Sequence, residues 1–438
     1  MKETIIQFGE GNFLRGFFDY FLHVMNKEKI YDGKAVVVQP RASGKCSLLN
    51  KQNCSYNLYL RGVENGEVKE KHHYIQSISR CIDPYKNFDK YISLADNPDF
   101  RFIVSNTTEA GIEFDETCSY NDKPCKSFPG KLTQLLYRRY KNNMDGFIFL
   151  PCELIDNNGN ELKKCILKYA ESWQLGSDFT TWINTKNTFA NTLVDRIVTG
   201  YPDDETTEKH PDDRFLDTGE IFHLWVIEGD FENELPLKKA GFNVIWTNDV
   251  SPYKKIKVRI LNGAHTSLVA GALLSGIETV GEAMNDETAY NFLLKAMNDE
   301  ILPTIGKTEE SLSFADSVYD RFRNPFIHHK WSAISLNSVS KFSVRVLPAI
   351  LEYKEKNGSY PPCLTMALAY LIYFYKNGNP ADNEDVICKI KTKSISDILK
   401  DTALWQNDLS GMVEKVEEYY EKIDSLGAKE AMKWIISQ

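Results

Sequence analysis

The sequence predicts an α/β protein: a doubly wound domain over residues 1–250, then a mostly α-helical domain over 251–438. Three observations predict it. Val/Ile-rich runs alternate with helical patterns through the first half, as in a parallel sheet covered on both faces. A glycine turn, Gly9-x-Gly11, follows the first run directly and opens a helix, as in a Rossmann-type unit. From Pro252 on, nearly every apolar segment keeps three-to-four spacing. A chain of 438 residues also exceeds one ordinary core.

The elements follow in order. TIIQF (Thr4–Phe8) is the first strand and FLRGFFDYFLHVM (Phe13–Met25) the first helix. KAVVVQP (Lys34–Pro40), YIQSIS (Tyr74–Ser79) and FRFIVSNT (Phe100–Thr107) read as strands, the last preceded by a helical DKYISLA. FIFLPCEL (Phe147–Leu154) leads to a helix over Gly159–Trp173. FHLWVIEG (Phe222–Gly229) and FNVIWTND (Phe242–Asp249) complete the strand-like runs. Tyr201–Phe215, charged and carrying prolines, is expected to be an exposed loop. Pro252 suits a first helical turn after Asp249 and Ser251. Five further segments then read as helices: 287–305, 311–322, 341–356, 364–378 and 410–423.

Composition narrows the function. Hydrophobic content of 42% and charged content of 26% are those of a globular protein, and a net charge of -9 argues against a nucleic-acid partner. The nine cysteines are odd in number and form no CxxC pair, which argues against a disulfide framework and a cysteine-based zinc site. Reduced thiols in the cytoplasm are the expectation. The N-terminus has no apolar h-region, and the most apolar run, Met366–Tyr375, is too short to span a bilayer. No membrane partner is expected.

The glycine turn lets the backbone approach a pyrophosphate and aims helix N–H groups at it. Phe8, Gly9, Gly11, Asn12 and Phe13 are its candidate cofactor-binding residues. Leu14 stands where a third glycine is usual, and an ordinary tight turn is the alternative reading. The acid that would hold an adenosine ribose is missing after KAVVV. Arg41 lies there instead, suited to a 2′-phosphate, to stacking or to solvent, so NAD and NADP stay open. The fourth strand ends in SNTTEAGI (Ser105–Ile112), where a doubly wound sheet places its ligand. Thr107 and Glu109 are candidates for nicotinamide or ribose contacts.

A second candidate site is KVRILNGAHTSL (Lys257–Leu268). At about 100° per residue, His265 falls roughly 80° and Asn262 roughly 140° from Lys257, so all three share one broad, partly apolar side of a helix. A desolvated lysine has a lowered pKa and exchanges a proton with an alcohol or alkoxide. An asparagine amide stabilises the developing oxyanion, and a neutral histidine holds a second hydroxyl. This chemistry needs no metal. Gly263 falls outside the arc and has no evident role.

Lys257, Asn262 and His265 together resemble the K-x4-N-x2-H signature of the long-chain polyol dehydrogenases, the mannitol dehydrogenase and hexuronate reductase family. FGEGNFLRGFF is similar to that family's opening turn, where GxGxFxR is usual. Pro151–Gly159, Asn191–Pro202, Gly281–Glu287 and Arg321–His329 resemble its tagaturonate-reducing branch more than its mannitol or fructuronate branches. The resemblance implies a Rossmann-type domain, a helical C-terminal domain, metal-independent chemistry and NAD. It makes Lys257 the general acid/base, has Asn262 and Asn191 polarise the reacting oxygen, and has His265 orient the substrate. Lys341 matches a lysine that contacts the substrate chain. Lys254 replaces a glutamate of mannitol-type members and is a cation near the pocket or a solvated lysine. Arg323, Arg345 and His329 are unranked candidates for the hexuronate carboxylate. The expected reaction is reversible reduction of tagaturonate to altronate. The alternatives are a fructuronate or neutral-ketose enzyme of the same type and a catalytically silent nucleotide-binding regulator.

Overall fold

The computed structural model describes residues 1–438, the side chain of Glu109 excepted. The chain forms two compact units, 1–61 with 69–250, and 62–68 with 251–438.

The first unit holds thirteen strands, the last residues of β3 and the first of β4 counting with the second unit. These are β1 (Lys2–Phe8), β2 (Gly33–Val38), β3 (Tyr56–Glu64), β4 (Glu67–Ile75), β5 (Ile78–Ile82), β6 (Phe102–Ser105) and β7 (Ile148–Pro151). β8 (Thr188–Phe189), β9 (Thr192–Asp195), β10 (Val198–Gly200), β11 (Asp217–Glu220), β12 (Leu224–Glu228) and β13 (Val244–Thr247) follow. Six of them make a parallel sheet in the order β5-β2-β1-β6-β7-β8. This is the doubly wound sheet that the Val/Ile runs predict.

Successive residues of β1 face opposite ways. Ile6 and Phe8 join one core with Leu132, Leu135, Leu162 and Ile166. Ile5 joins the other with Phe17, Phe18, Phe21 and Trp225. The strands are buried on both faces, so they read as continuous apolar runs. Phe8 pairs with Val38 on one side and Ser105 on the other, so three carboxyl ends finish level. The chain order reverses beside β1, between β2 and β6, which is where such sheets open a ligand crevice.

Several elements depart from the expectations. The first helix is two, Asn12–Gly16 and Phe18–Lys27, broken at Phe17 (φ -122, ψ -83). Strands β3 and β4 pair in a four-stranded sheet, β10-β11-β3-β4. Their turn, Asn65-Gly66, has positive φ at both residues, the conformation an Asn-Gly hairpin favours. Tyr201–Phe215 is mostly exposed, as expected, but carries a helical turn at Thr206–Lys209 and is tied down at several points. Asp204 pairs with Arg61, Asp213 accepts from Asn57, and Phe215 is buried. Cys46 and Cys81 form a disulfide, where nine reduced thiols are expected. The fold sets their Cα atoms 5.2 Å apart across 35 residues, a proximity no sequence motif carries.

Outside residues 62–68 the second unit is helical. The expected helix at 341–356 is two, Ser338–Arg345 and Leu347–Asn357, because Pro348 has no N–H to continue the first. The segment 287–305 stays helical but contains a wide i→i+5 turn at Ala296–Ile301, just before Pro303. Among the described residues no helix is long and apolar enough to cross a membrane.

Candidate active site

In the first unit the glycine turn has a specific backbone reason. Gly9 sits at φ +123, and a Cβ there would lie 2.9 Å from the Asn106 carbonyl oxygen. Only glycine lets the turn pass that close to the end of β6. A Cβ on Gly11 would meet nothing within 4 Å, so the backbone is open above it. Arg15 staples the turn, donating to the Glu10 carbonyl (2.7 Å) and to Asn12 Oδ1 (2.8 Å). Its guanidinium is buried over Phe215, 3.6 Å from Asp217. Arg15 is the arginine of the GxGxFxR turn, but its burial against Phe215 and Asp217, about two hundred residues away, carries no sequence signal.

A cleft of about 830 Å³ opens beside the turn, lined by Pro40, Arg41, Thr107, Thr108, Lys126 and Lys168 among others. It lies at the carboxyl ends of β2 and β6 and has the size of a small-molecule site. Thr107 donates from its backbone N–H and its hydroxyl to Glu153 Oε1, both at 2.9 Å. Ser105 Oγ donates to Glu153 Oε2. Burial pushes the Glu153 carboxyl up, against these donors. Glu153, at the end of FIFLPCEL, is thus a latch on the cleft wall that the sequence does not single out. Beside it Thr108 holds φ +77, which is rare for a β-branched residue and marks a strained position on the cleft rim.

The structure separates the cofactor candidates. Gly9 and Gly11 form the turn, Asn12 is exposed on it, and Arg41 and Thr107 line the cleft. Phe8 does not reach it: its ring is fully buried against Tyr91 and Phe128, because an apolar strand end is worth more in the core. Phe13 is half-buried and stacks on Phe17. Glu109 falls in a short 3-10 turn, and its side chain lies outside the described residues. Gln39, where a ribose-binding acid is usual, is buried and ties the following loop through Arg41 O and Cys46 N. The open backbone, the glycine approach and the cleft fit a dinucleotide.

Asn191, also in the first unit, is held in one orientation. Its Nδ2 donates to Glu228 Oε2 (2.7 Å), and its Oδ1 accepts from the Asn160 N–H (3.1 Å). One amide hydrogen is left for a ligand.

In the second unit KVRILNGAHTSL is one continuous helix with a wide turn inside it. Ser251–Lys257 is α-helical, Val258–Asn262 is a turn with i→i+5 hydrogen bonds, and Gly263–Leu274 is α-helical again. Such a turn takes one residue more than an α turn. Asn262, five residues on, therefore stands closer to directly above Lys257 than an α-helical projection gives. Lys257 and Asn262 are half-buried and His265 is 8% exposed.

His265 stacks on Phe322 (centroids 4.2 Å) and meets the edges of His329 and Trp331. Burial, then His329, Arg321 and Arg345, hold its pKa well below the usual value, so the ring is neutral. Its Nε2 is buried without a hydrogen-bond partner among the described residues. Lys341 lies within the field of Arg345, and its Nζ donates to the Ile334 carbonyl (2.9 Å). Arg321 and Arg345 thus bring positive charge to one neutral imidazole, with Lys341 beside Arg345, while burial holds His329 below its usual value. Arg323 is exposed over the Tyr290 ring, and Arg321 two residues earlier is buried. Lys254 is half-buried in the first turn of the helix.

Known proteins carry the same architecture. A substrate-free D-sorbitol dehydrogenase superposes with a TM-score of 0.87 at 23% identity, covering 99% of this chain and 95% of that one. A Pseudomonas fluorescens mannitol 2-dehydrogenase, in ternary complex with NAD and D-mannitol, superposes at 0.73 and 21%, covering 100% and 95%. Among curated proteins, an altronate oxidoreductase of Bacillus subtilis strain 168 is 41% identical over 98% of this chain and 94% of its own length. Those of Cronobacter sakazakii and Phocaeicola vulgatus are 46% identical (85% and 80% covered) and 43% identical (95% and 88% covered). Residues 3–239 match the mannitol dehydrogenase Rossmann domain and residues 249–426 its C-terminal domain. The chain belongs to the mannitol dehydrogenase family.

Proposed function

We propose that this chain interconverts D-tagaturonate and D-altronate with NAD, using Lys257 as general acid/base and no catalytic metal. Membership of the family makes it a nicotinamide-dependent oxidoreductase acting on CH–OH. One observation supports a uronate above other substrates. Arg321 and Arg345 act on His265, two turns beyond Lys257, and Lys341 lies in the field of Arg345. A neutral ketose has no use for that charge, whereas a carboxylate does. The curated relatives named above carry the altronate name, which agrees.

The turn at Gly9 and Gly11, with Arg41 and Thr107, would hold the dinucleotide. When bound it supplies the hydride for reduction or accepts it in oxidation. The chain's own residues handle the proton and the charge. Lys257, protonated, gives its proton to the carbonyl oxygen as that oxygen becomes an alcohol, and takes it back in reverse. Asn262 donates to the same oxygen and stabilises its charge. His265 stays neutral and turns its unpartnered Nε2 to a substrate hydroxyl. The cationic group seats the carboxylate.

A panel of tagaturonate, fructuronate and fructose, each with NADH and NADPH, tests this. Tagaturonate with NADH is expected to give the highest kcat/KM. A preference for fructose over both uronates would refute the uronate reading, and a preference for NADPH would refute the cofactor. In the same panel Lys257→Ala should lose about 10²–10⁴ in kcat, the usual size of general acid–base catalysis, while still binding NADH.

A further inference from the structure

The loop at 113–127 lies between the short turn at Glu109–Gly111 and the helix Phe128–Lys141. It carries Cys118, Asp122 and Cys125, four and three residues apart. The two thiol sulfurs and a carboxylate oxygen of Asp122 all lie within 4.8 Å of one another. Among the described residues no other group of three such side chains is gathered so closely. We propose that Cys118, Asp122 and Cys125 bind a thiophilic divalent cation of the zinc class.

Bonds of roughly 2.0–2.3 Å to tetrahedral Zn²⁺ place neighbouring donors about 3.5–3.8 Å apart. The three side chains reach that spacing by closing through about 1 Å. Two thiolates with one carboxylate suit zinc-like ions, whereas Mg²⁺ and Ca²⁺ call for oxygen donors alone. Cys118 and Cys125 are buried and Asp122 is half-exposed, so the group opens to solvent on one side only. Water entering on that side completes the coordination.

The loop is held in this shape by the rest of the unit. The buried Gln134 donates to the carbonyls of Tyr120 (2.8 Å) and Asp122 (2.7 Å) and accepts from the Cys125 N–H (3.4 Å). Trp173 Nε1 donates to the Cys118 carbonyl (3.0 Å). The Ser119 N–H donates to Asp122 Oδ2 (2.8 Å), which leaves that carboxylate lone pairs for an ion. Ligands fixed by such outer partners bind metal better than ligands on a free loop. Residues on both flanks of the group, Asp115, Glu116, Thr117, Lys126 and Ser127, line the cleft assigned to the dinucleotide. An ion here therefore anchors one wall of that cleft and takes no part in proton transfer at Lys257.

The test is cobalt titration of reduced, metal-stripped full-length protein, with metal content measured on protein as purified. The expected result is one Co²⁺ per chain with a sulfur-to-cobalt charge-transfer band in the near ultraviolet. Cys118→Ser and Cys125→Ser should each remove most of that band, and Cys388→Ser, at an exposed thiol far along the chain, should leave it intact. Asp122→Asn should weaken binding by about tenfold or more; being half-exposed, it keeps the test decisive if a serine variant fails to fold. Zinc should raise the melting temperature of the wild type and leave that of Cys118→Ser/Cys125→Ser unchanged. A wild type without the band, or a band that survives in the double variant, would overturn the proposal. So would a Cys118–Cys125 disulfide in the peptide map of protein purified without oxidant.

Discussion

Arg345 makes the charge argument testable one residue at a time. It sits at the end of the helix Ser338–Arg345, half-buried, in electrostatic range of both His265 and Lys341. Burial holds its guanidinium below the usual value, a cost that a bound carboxylate repays. Arg345→Leu is therefore expected to raise KM for a uronate by about 10–100-fold, the size of a lost charge-assisted hydrogen bond, with a smaller change for a neutral ketose. Steady-state kinetics on both substrates decide it, and an equal loss on both would assign Arg345 to packing. Sequence reasoning reaches Lys257, Asn262 and His265 because they share one helix and spacing alone groups them. It names Arg323, which lies exposed over the Tyr290 ring, and passes over the buried Arg321, whose charge acts on His265, because helix rotation within RFRNPF depends on what the helix packs against. Glu153 and Glu228 carry no signal of their own. Their roles arise from partners set by the tertiary fold.

The wide turn at Val258–Asn262 is the element that periodicity conceals. Lys, Arg, Ile, Leu and Asn fit an α-helix as well as an i→i+5 turn, so the sequence offers no reason to abandon 100° per residue. Long continuous patterns, by contrast, are legible. The strands β6 and β7, β1 from Ile5 on and β2 from Ala35 on are buried and read as apolar runs, and the helix Pro362–Asn377 has eleven buried residues of sixteen. Gly263, at the exit of the wide turn, now has a defined setting. It is helical at φ -63, ψ -45, and a Cβ would stand 3.4 Å from the Arg345 carbonyl oxygen and 3.6 Å from that of Val258. Those are ordinary contacts, so packing does not demand glycine there. Gly263→Ala should accordingly raise stability by about 0.5–1 kcal/mol through helix propensity. Denaturant unfolding measures it. A loss of more than about 1 kcal/mol would mean that the wide turn itself requires glycine.

At the scale of the molecule, the first unit stakes its glycine turn on a buried network of charge. Arg15 lies against Asp217, Tyr56 donates to Asp19, and Gln7 Nε2 donates to Asp19 as well. The network ties β1, the first two helices, β3 and β11 behind the cofactor turn. Burial raises the carboxyls of both Asp19 and Asp217 to about 7. A carboxyl whose native pKa exceeds its unfolded value keeps its proton in the folded state after the unfolded chain has lost it. Between the unfolded value of 3.8 and about 7, the native state thus binds more protons, and stability from these groups falls as pH rises. Buried histidines act oppositely. His223 and His265 have lowered native values, so their contribution grows as pH rises toward 6.5. The wild-type profile alone mixes the two, and a single substitution separates them. Asp19→Asn keeps an acceptor for Gln7 and Tyr56 but cannot ionise. Relative to wild type it should gain stability between pH 5 and pH 8, with a slope difference of up to about 1.4 kcal/mol per pH unit. Melting curves of both proteins across that range provide the comparison. Parallel profiles would show that Asp19 is ionised throughout, with Arg15 balancing its charge in the core.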